Sequence, residues 1–467
     1  LPLQGAGFLS PRSSVNLDGI MAGPASETET PARWRVSPVD AVEGEVTVPG
    51  DKSISHRALL LGAIAEGLTE IEGFLESEDC LRTLEALRSM GVRIQQEGEQ
   101  SVRVRGGGLF SLQAPSAPLD LGNSGTAMRL LIGLLSWQKF DATLVGDASL
   151  MKRPMERVAL PLRMMGARIE TREGTPPVIV RGWDRLRGIP YKSPMASAQV
   201  KSALLLAGLR ASGETRITEP STSRDHTERM LKAFGVPLRH DGTTIAVKPV
   251  QRLRGTRIDV PADFSSAAFF LVGGSIARSG TLRLRNVGMN PTRTGLLEIL
   301  SAMGADIAVE GLSTHGPEPV ADLVVRPASL RGIEVPLELV PRAIDEFPAF
   351  FIAAACAEGP SILRGAEELR VKETDRIAVM SRGLTALGVR HRVLPDGMLI
   401  EGRKAGGPVF SGGTVDSGGD HRVAMAFAMA SLQSSAPIEV LNTANVATSF
   451  PGFAELARSC GFELEES

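Results

Sequence analysis

Residues 82–94 read RTLEALRSMGVRI, an amphipathic helical phrase that stops at a glycine and turns into a strand. The phrase returns as ALPLRMMGARI (159–169), RMLKAFGVPL (229–238), LEILSAMGADI (297–307), GLTALGVRH (383–391) and ELARSCGFEL (455–464). Its glycines are Gly91, Gly166, Gly235, Gly304, Gly388 and Gly461. Recurrence of this kind marks a fold built from copies of one supersecondary unit. Ahead of each phrase lies a second kind of segment, a long helix apolar on nearly every side with a polar first turn. These helices begin at KSISHRALLL (from Lys52), SGTAMRLLIG (Ser124), SAQVKSALLL (Ser197), FSSAAFFLVG (Phe264), IDEFPAFFIA (Ile344) and DHRVAMAFAM (Asp420). A helix apolar all round is buried all round. Between the two helices of each unit sits a short strand: LTEIEG, ATLVGD, ETRITEP, TLRLRNV, PSILRGA or PIEVLNT. Alternation in several of these predicts sheets with one face toward solvent.

At 467 residues a single core is improbable, and two domains are the natural division. The expectation is an α/β protein of six repeated βαβαββ-type units, three per domain. Each domain wraps its sheets around a helical centre, an inverse α/β barrel. The expected boundaries are a disordered leader over residues 1–33, one domain from 34–51 plus 256–467, and a second from 52–255, with the site in the cleft between them. The strand EGEVTVPG (43–50), just ahead of Lys52, is expected to close a sheet of the other domain. The leader lacks a basic segment followed by an apolar one, so it does not read as a secretory signal.

Composition removes several function classes. A net charge of −2 lacks the electrostatic footprint of a nucleic-acid binder, and 4% aromatic residues leave little for base stacking. No apolar run reaches the roughly 20 residues of a membrane span. Cys80, Cys356 and Cys460 form no CxxC and are odd in number, which fits a reducing cytoplasm. The histidines show no HxxxH or HExxH spacing, so no metal is expected. No GxSxG elbow and no GxGxxG after a strand occur, which argues against a serine hydrolase and a dinucleotide cofactor.

The chemistry concentrates at the starts of the apolar helices. PGDKSISHR (49–57) sets Lys52, His56 and Arg57 at a helix N-terminus that already favours an anion, with Ser53 and Ser55 as candidate caps. LGNSGTAMR (121–129) offers Gly122 and Gly125 for close backbone approach and places Arg129 inside an apolar helix, where it needs a carboxylate or a ligand. GDASLMKRPM (146–155) sets Lys152 and Arg153 before Pro154, read as a helix start. PMASAQVKS (194–202) carries Ser197, Gln199 and Lys201, and STSRDHTER (221–229) carries Arg224, Asp225 and His226. Taken singly, each cluster reads as a solvated loop, but equivalent loops of a repeat fold share one end of a domain. The second half adds acids: Asp345 and Glu346 in RAIDEFPAFF (342–351), Glu373 with Lys372 and Arg376 in ELRVKETDR (368–376), and Asp420, His421 and Arg422 in GGDHRVAMAF (418–427). Two acids among several cations suggest proton transfer beside a bound phosphate or carboxylate. Asp375, Asp420 and His421 are read as support.

In this order, with NPTRTG (290–295) and ATSFPGFAEL (447–456), these segments resemble the EPSP synthases, the 3-phosphoshikimate 1-carboxyvinyltransferases, over about residues 36–464. The wording is similar to the bacterial class II branch. The resemblance implies an enolpyruvate transferase-like fold and no cofactor. The substrates it implies are shikimate 3-phosphate and phosphoenolpyruvate, joined by addition and elimination in chorismate biosynthesis. It implies shikimate 3-phosphate contacts from Lys52, Ser53, Arg57, Ser197, Ala198, Gln199, Arg224, Asp345 and Lys372. Phosphoenolpyruvate would meet Lys52, Gly125, Arg153, Gln199, Arg376 and Arg422. Asp345, Glu373 and Lys52 would be catalytic, with Asp345 as base on the 5-hydroxyl and Glu373 near the methylene. Gly125 implies appreciable glyphosate sensitivity, because a methyl group there would crowd that inhibitor. Two departures stand out: His56 replaces an Asn common in relatives, and Ser449 precedes Phe450 where many relatives carry Lys. A monomer without membrane or nucleic-acid partners is expected.

Three rivals differ in class. The enolpyruvyl transferase acting on UDP-N-acetylglucosamine typically uses a loop cysteine, whereas the cysteines here fall outside the charged motifs. An RNA 3′-phosphate cyclase would need a nucleotide-binding histidine and a basic surface. A non-catalytic binding module would have no use for Asp345 and Glu373 among the cations.

Overall fold

The structure is a computed structural model and describes residues 32–183, 185–403 and 407–467. Up to residue 31, the expected leader lies outside the described residues. Arg33 is not part of a leader: it opens the strand Arg33–Ser37 and pairs with Leu441.

The described residues form six sheets, one per unit. In the first, Arg257–Asp259 runs parallel to Glu66–Glu72, which pairs antiparallel with Ser101–Gly107, and that strand with Arg93–Gln96. Four other sheets repeat this order of one parallel and two antiparallel pairings. The sheet of Ser361–Leu363, Gly397–Ile400 and His391–Leu394 has three strands, and a lone parallel bridge from Glu334 to Ile362 stands where the parallel strand lies elsewhere. The strand Gly44–Val46 pairs parallel with Leu282–Gly288, so the segment ahead of Lys52 does close a sheet of the second half. Arg33–Ser37 fills the third place of the last sheet, between Ile438–Leu441 and Glu463–Glu466.

The six apolar helices are Lys52–Ile64, Gly125–Leu135, Ala198–Gly208, Phe264–Ile276, Phe347–Cys356 and His421–Ala430. Every residue of Phe264–Ile276 and Phe347–Cys356 is buried. These two pack on each other and on His421–Ala430, while Gly125–Leu135 packs on Ala198–Gly208. The crossing of that last pair is close enough to require Gly133, since a Cβ there would lie 2.3 Å from the Ala203 carbonyl oxygen. The sheets lie outside, with alternating burial such as that of Ser101–Gly107. Helices inside and sheets outside is the inverse arrangement expected. The amphipathic helices end as the sequence indicates: Gly91, Gly166, Gly235, Gly304, Gly388 and Gly461 have φ of 85°, 99°, 84°, 90°, 80° and 94°. That left-handed conformation closes a helix and strains any residue with a Cβ.

Two hydrophobic cores result. One contains buried residues from Ile54 to Val260, and the other joins Trp34–Val48 to Ala262–Leu464. The return crossing therefore falls at Pro261, later than the expected boundary at 255/256. The reason is the strand Arg257–Asp259, whose pairing with Glu70–Glu72 places Ile258 and Val260 in the first core.

Candidate active site

The caps of the buried helices fix the site. Asp51, not Ser53 or Ser55, caps Lys52–Ile64: its backbone is extended and its Oδ1 accepts from Ile54 N at 2.9 Å. Ser53 and Ser55 lie within the helix. Ser124 caps Gly125–Leu135, Ser197 caps Ala198–Gly208, Asp263 caps Phe264–Ile276 and Asp420 caps His421–Ala430. The helix over 156–164 begins at Glu156 rather than at Pro154.

One cavity is lined by Lys52, Ser53, Arg57, Gly125, Arg153, Ala198, Gln199 and Arg224 from the first core's side, and by Asp345, Lys372, Glu373, Arg376 and Arg422 from the other. Ser197 is the one implied site residue outside it. It lines an adjoining hollow that shares Ala198, Gln199, Arg224, Asp345 and Lys372 with the cavity.

Asp345 is ion-paired with Arg224, and with Lys372 and Arg376 at 3.3 Å each. Arg422 Nη1 donates to its backbone carbonyl at 3.2 Å. Burial alone would raise this carboxyl's pKa, but the facing charges of Arg224, Lys372, Arg422 and Arg376 hold it well below the usual carboxylate range. Glu373 is in the same state. Burial opposes ionisation, and Arg376 at 2.6 Å, Arg153 at 3.3 Å and Lys372 outweigh it. Both carboxylates are thus charged in the ligand-free protein.

The cations divide into two kinds. Arg376 is tied to carboxylates, including Asp420 at 2.8 Å. Arg57 and Arg129 are buried against neutral acceptors. Arg57 donates to Thr227 Oγ1 at 2.7 Å, the Ser53 carbonyl at 2.9 Å and Ser202 Oγ at 3.1 Å, and burial pushes its pKa down to about 10. Arg129 donates to Gln199 Oε1 at 2.6 Å and the Pro154 carbonyl at 3.1 Å, and its buried Nε has no partner. Burial and the neighbouring Arg157 and Arg153 lower its pKa. A buried cation with neutral partners is poorly compensated, so a bound anion would relieve it.

Arg129, singled out in the sequence only as needing a partner, belongs to the lining, together with Arg157, Asn123, Thr126 and Asp79. Asp79 is ion-paired with Lys52; burial raises its pKa despite that partner, and its Oδ1 is unpartnered. Lys201 proves structural: it is 4% exposed, holds Glu219 at 2.9 Å and Glu228 at 2.8 Å, and lies off the cavity. Lys152 is exposed beside the inward Arg153. Asp375 caps Arg376–Ala386 and pairs with Arg370, and Asp420 holds Arg376, both supporting roles as expected. His421 lines the cavity, kept neutral by burial and by Lys52 and Arg422.

His56 links two of the motifs. Thr83 donates to the Asp79 carbonyl, so its Oγ1 accepts from His56 Nδ1 at 2.8 Å. Ser124 Oγ lies 3.3 Å from His56 Nε2. Burial, Lys52 and Arg57 keep the ring neutral, consistent with this tautomer. Among the described residues no cluster of three or more His, Cys, Asp or Glu side chains could hold a metal ion, and no helix is long and apolar enough to cross a membrane. The three cysteines are buried and free.

Two cores of inside-out α/β units meeting at a charged cavity define an enolpyruvyl transferase fold. The structure of the enolpyruvyl transferase NikO from Streptomyces tendae matches at a TM-score of 0.76 and 17% identity, covering 94% of this chain and 99% of that one. The family model for EPSP synthase (3-phosphoshikimate 1-carboxyvinyltransferase) matches residues 36–456, and the chain belongs to this family. A 3-phosphoshikimate 1-carboxyvinyltransferase from Methylococcus capsulatus is 58% identical over 435 residues, 93% of this chain and 98% of that protein. The structure of EPSP synthase from Acinetobacter baumannii matches at a TM-score of 0.84 and 53% identity, covering 93% of this chain and all of the other.

Proposed function

We infer that this chain transfers the enolpyruvyl group of phosphoenolpyruvate to the 5-hydroxyl of shikimate 3-phosphate, releasing phosphate. The observation that carries the reading is the pairing of two ionised carboxylates, Asp345 and Glu373, with buried guanidiniums that have only neutral partners. Two multiply anionic substrates and one proton moved each way need that combination.

In this reading Ser53, Arg57, Ser197, Ala198, Gln199, Arg224 and Lys372 hold shikimate 3-phosphate. Gly125, Arg153, Gln199, Arg376 and Arg422 hold phosphoenolpyruvate, and Lys52 touches both. Asp345 takes the proton of the 5-hydroxyl as the oxygen adds to the enol carbon, and Glu373, which takes up a proton from solvent as the anionic substrates draw its cations away, gives that proton to the methylene. Loss of phosphate from the tetrahedral intermediate, with Glu373 taking back a methyl proton and the departing phosphate carrying off the proton held by Asp345, leaves the enol ether. Phosphate and carboxylate groups that occupy Arg224, Arg376 and Arg153 remove the charges that depress Asp345 and Glu373. Both carboxyls then gain proton affinity only in the loaded site, where proton transfer is wanted. We treat the two cores as two domains that close over the substrates, with crossings at Asp51 and Pro261. Closure excludes water and strengthens every ionic contact. All residues of the site come from one chain, so a monomer suffices.

The test is phosphate release from phosphoenolpyruvate with and without shikimate 3-phosphate, in EDTA. Release that requires shikimate 3-phosphate and ignores EDTA is expected. Release without it, or none with it, overturns the reading.

A further inference from the structure

Arg293 lies in NPTRTG, a segment given no role above, and is 3% exposed. Its Nη1 donates to Asp51 Oδ2 at 3.1 Å, and its Nη2 to Asp263 Oδ1 at 3.0 Å and to Ser265 Oγ. Asp51 and Asp263 are the caps of the two helices that begin where the chain crosses between cores. Asp51 thus spends one oxygen on its helix and the other on Arg293. On the far side Ser265 Oγ donates to Glu346 Oε1, and Glu346 follows Asp345 in the chain. One guanidinium therefore spans a buried path from Asp51, adjacent to Lys52, to Glu346, adjacent to Asp345.

Further polar groups surround this cation, whose buried Nε itself has no hydrogen-bond partner. His226 Nε2 lies 3.3 Å from Arg293 Nη1, and His226 Nδ1 lies 2.7 Å from Glu318 Oε1. Asn290 donates to both Glu318 and Asp225. Arg293 enters from the second core, whereas Asp51 and His226 sit beside the first. A planar fork holding two carboxylates sets both distance and angle between them, which a point charge would not.

We propose that Arg293 is a positioning residue for the transfer reaction: by bridging Asp51 and Asp263 it sets the substrate-binding start of Lys52–Ile64 against Asp345. This rests on the function proposed above. Residues assigned to shikimate 3-phosphate come mostly from the first core, so binding of that substrate alone does not need the bridge. Chemistry, which draws on both cores, does.

The experiment compares wild type, Arg293→Met, Arg293→Met/Asp263→Asn and Arg293→Lys. It reads phosphate release, shikimate 3-phosphate affinity by calorimetry, and Tm. The single variant strands Asp51 and Asp263; the double variant removes one of these two carboxylates, so it recovers part of the lost Tm. The expected result is that kcat stays down about tenfold or more in the double variant while shikimate 3-phosphate affinity changes less than about threefold. Recovery of kcat together with Tm, wild-type kcat in a folded single variant, or substrate affinity lost in step with kcat would each overturn the proposal. If neither Met variant folds, Arg293→Lys decides. A tenfold fall in kcat with Tm kept supports the proposal, and unchanged kcat overturns it. Wild-type enzyme that releases no phosphate with shikimate 3-phosphate would sink the functional reading itself, a distinct outcome.

Discussion

The two walls of the cavity use charge differently. The wall from the first core presents Arg57 and Arg129 on neutral acceptors and Lys52 on a single, half-satisfied carboxylate. The wall from the second core presents Arg376 already held by three carboxylates: Asp345, Glu373 and Asp420. The first wall is electrostatically unfinished at Arg57 and Arg129, while its Arg153 and Arg224 reach across to Glu373 and Asp345. The second is finished, and an arriving anion perturbs it by taking cations from Asp345 and Glu373. Binding and proton affinity are thus divided between two pieces of the same fold.

The hardest way to break this comparison is at the second wall. Glu373→Gln should lower kcat by about 10²–10⁴-fold, with shikimate 3-phosphate affinity nearly kept, measured by phosphate release and calorimetry. A first-wall change should act on binding instead. Arg129→Met, which removes a cavity-lining cation and the donor that holds Gln199, should raise the KM for phosphoenolpyruvate about 10–100-fold, with a smaller effect on kcat. If Arg129→Met lowered kcat as much as Glu373→Gln does, the division between walls would fall.

Acid titration of the free protein sharpens the contrast. Asp345 and Glu373 are depressed in the fold below their ordinary values of 3.8 and 4.5. Their contribution to stability is complete above those ordinary values and is lost as pH falls through the lower folded ones. The Tm gap between wild type and Glu373→Gln should therefore hold steady above about pH 5 and narrow below about pH 4 in melts taken across that range. A gap that widens in acid would show that Glu373 is not held ionised.

The smallest effect is expected at Gly125, in the first wall. An added methyl would lie 3.0 Å from Arg153 Nη1 and 3.1 Å from Arg129 Nη1, the far ends of long side chains, which must yield a few tenths of an ångström. Gly125→Ala should raise the phosphoenolpyruvate KM only about two- to fivefold and weaken glyphosate inhibition more than that, in paired inhibition curves. Equal losses for both would refute a specific steric role.

The repeat was legible because its signals are local: helices apolar on every side, and a glycine whose left-handed φ ends each amphipathic one. Most of the cavity was legible too, since its residues cluster at helix starts and the family resemblance assigns them. What escaped was long-range. Asp79 sits in an ordinary amphipathic helix, and only the fold brings it to Lys52. Arg157 meets Glu368 at 2.8 Å across the two walls, a pairing with no sequence pattern. Lys201 looked like its neighbours in the motif, yet Glu219 and Glu228 bury it. The crossing was misplaced because three residues, Arg257–Asp259, give too short a strand to declare which sheet they join.

The place of Arg33–Ser37 in the last sheet bears on how the molecule is made. The strands on either side of it, Ile438–Leu441 and Glu463–Glu466, are made long after it in chain order. The first core, continuous from Ile54 to Val260 in residue order, has all its parts before either of those strands is made. The opening strand must wait through all of that for partners that do not yet exist, and loop closure over such a span is slow. The earlier core can thus be complete as an insert within an unfinished one, and a nascent chain stalled before residue 438 carries Arg33–Ser37 with neither of its partner strands.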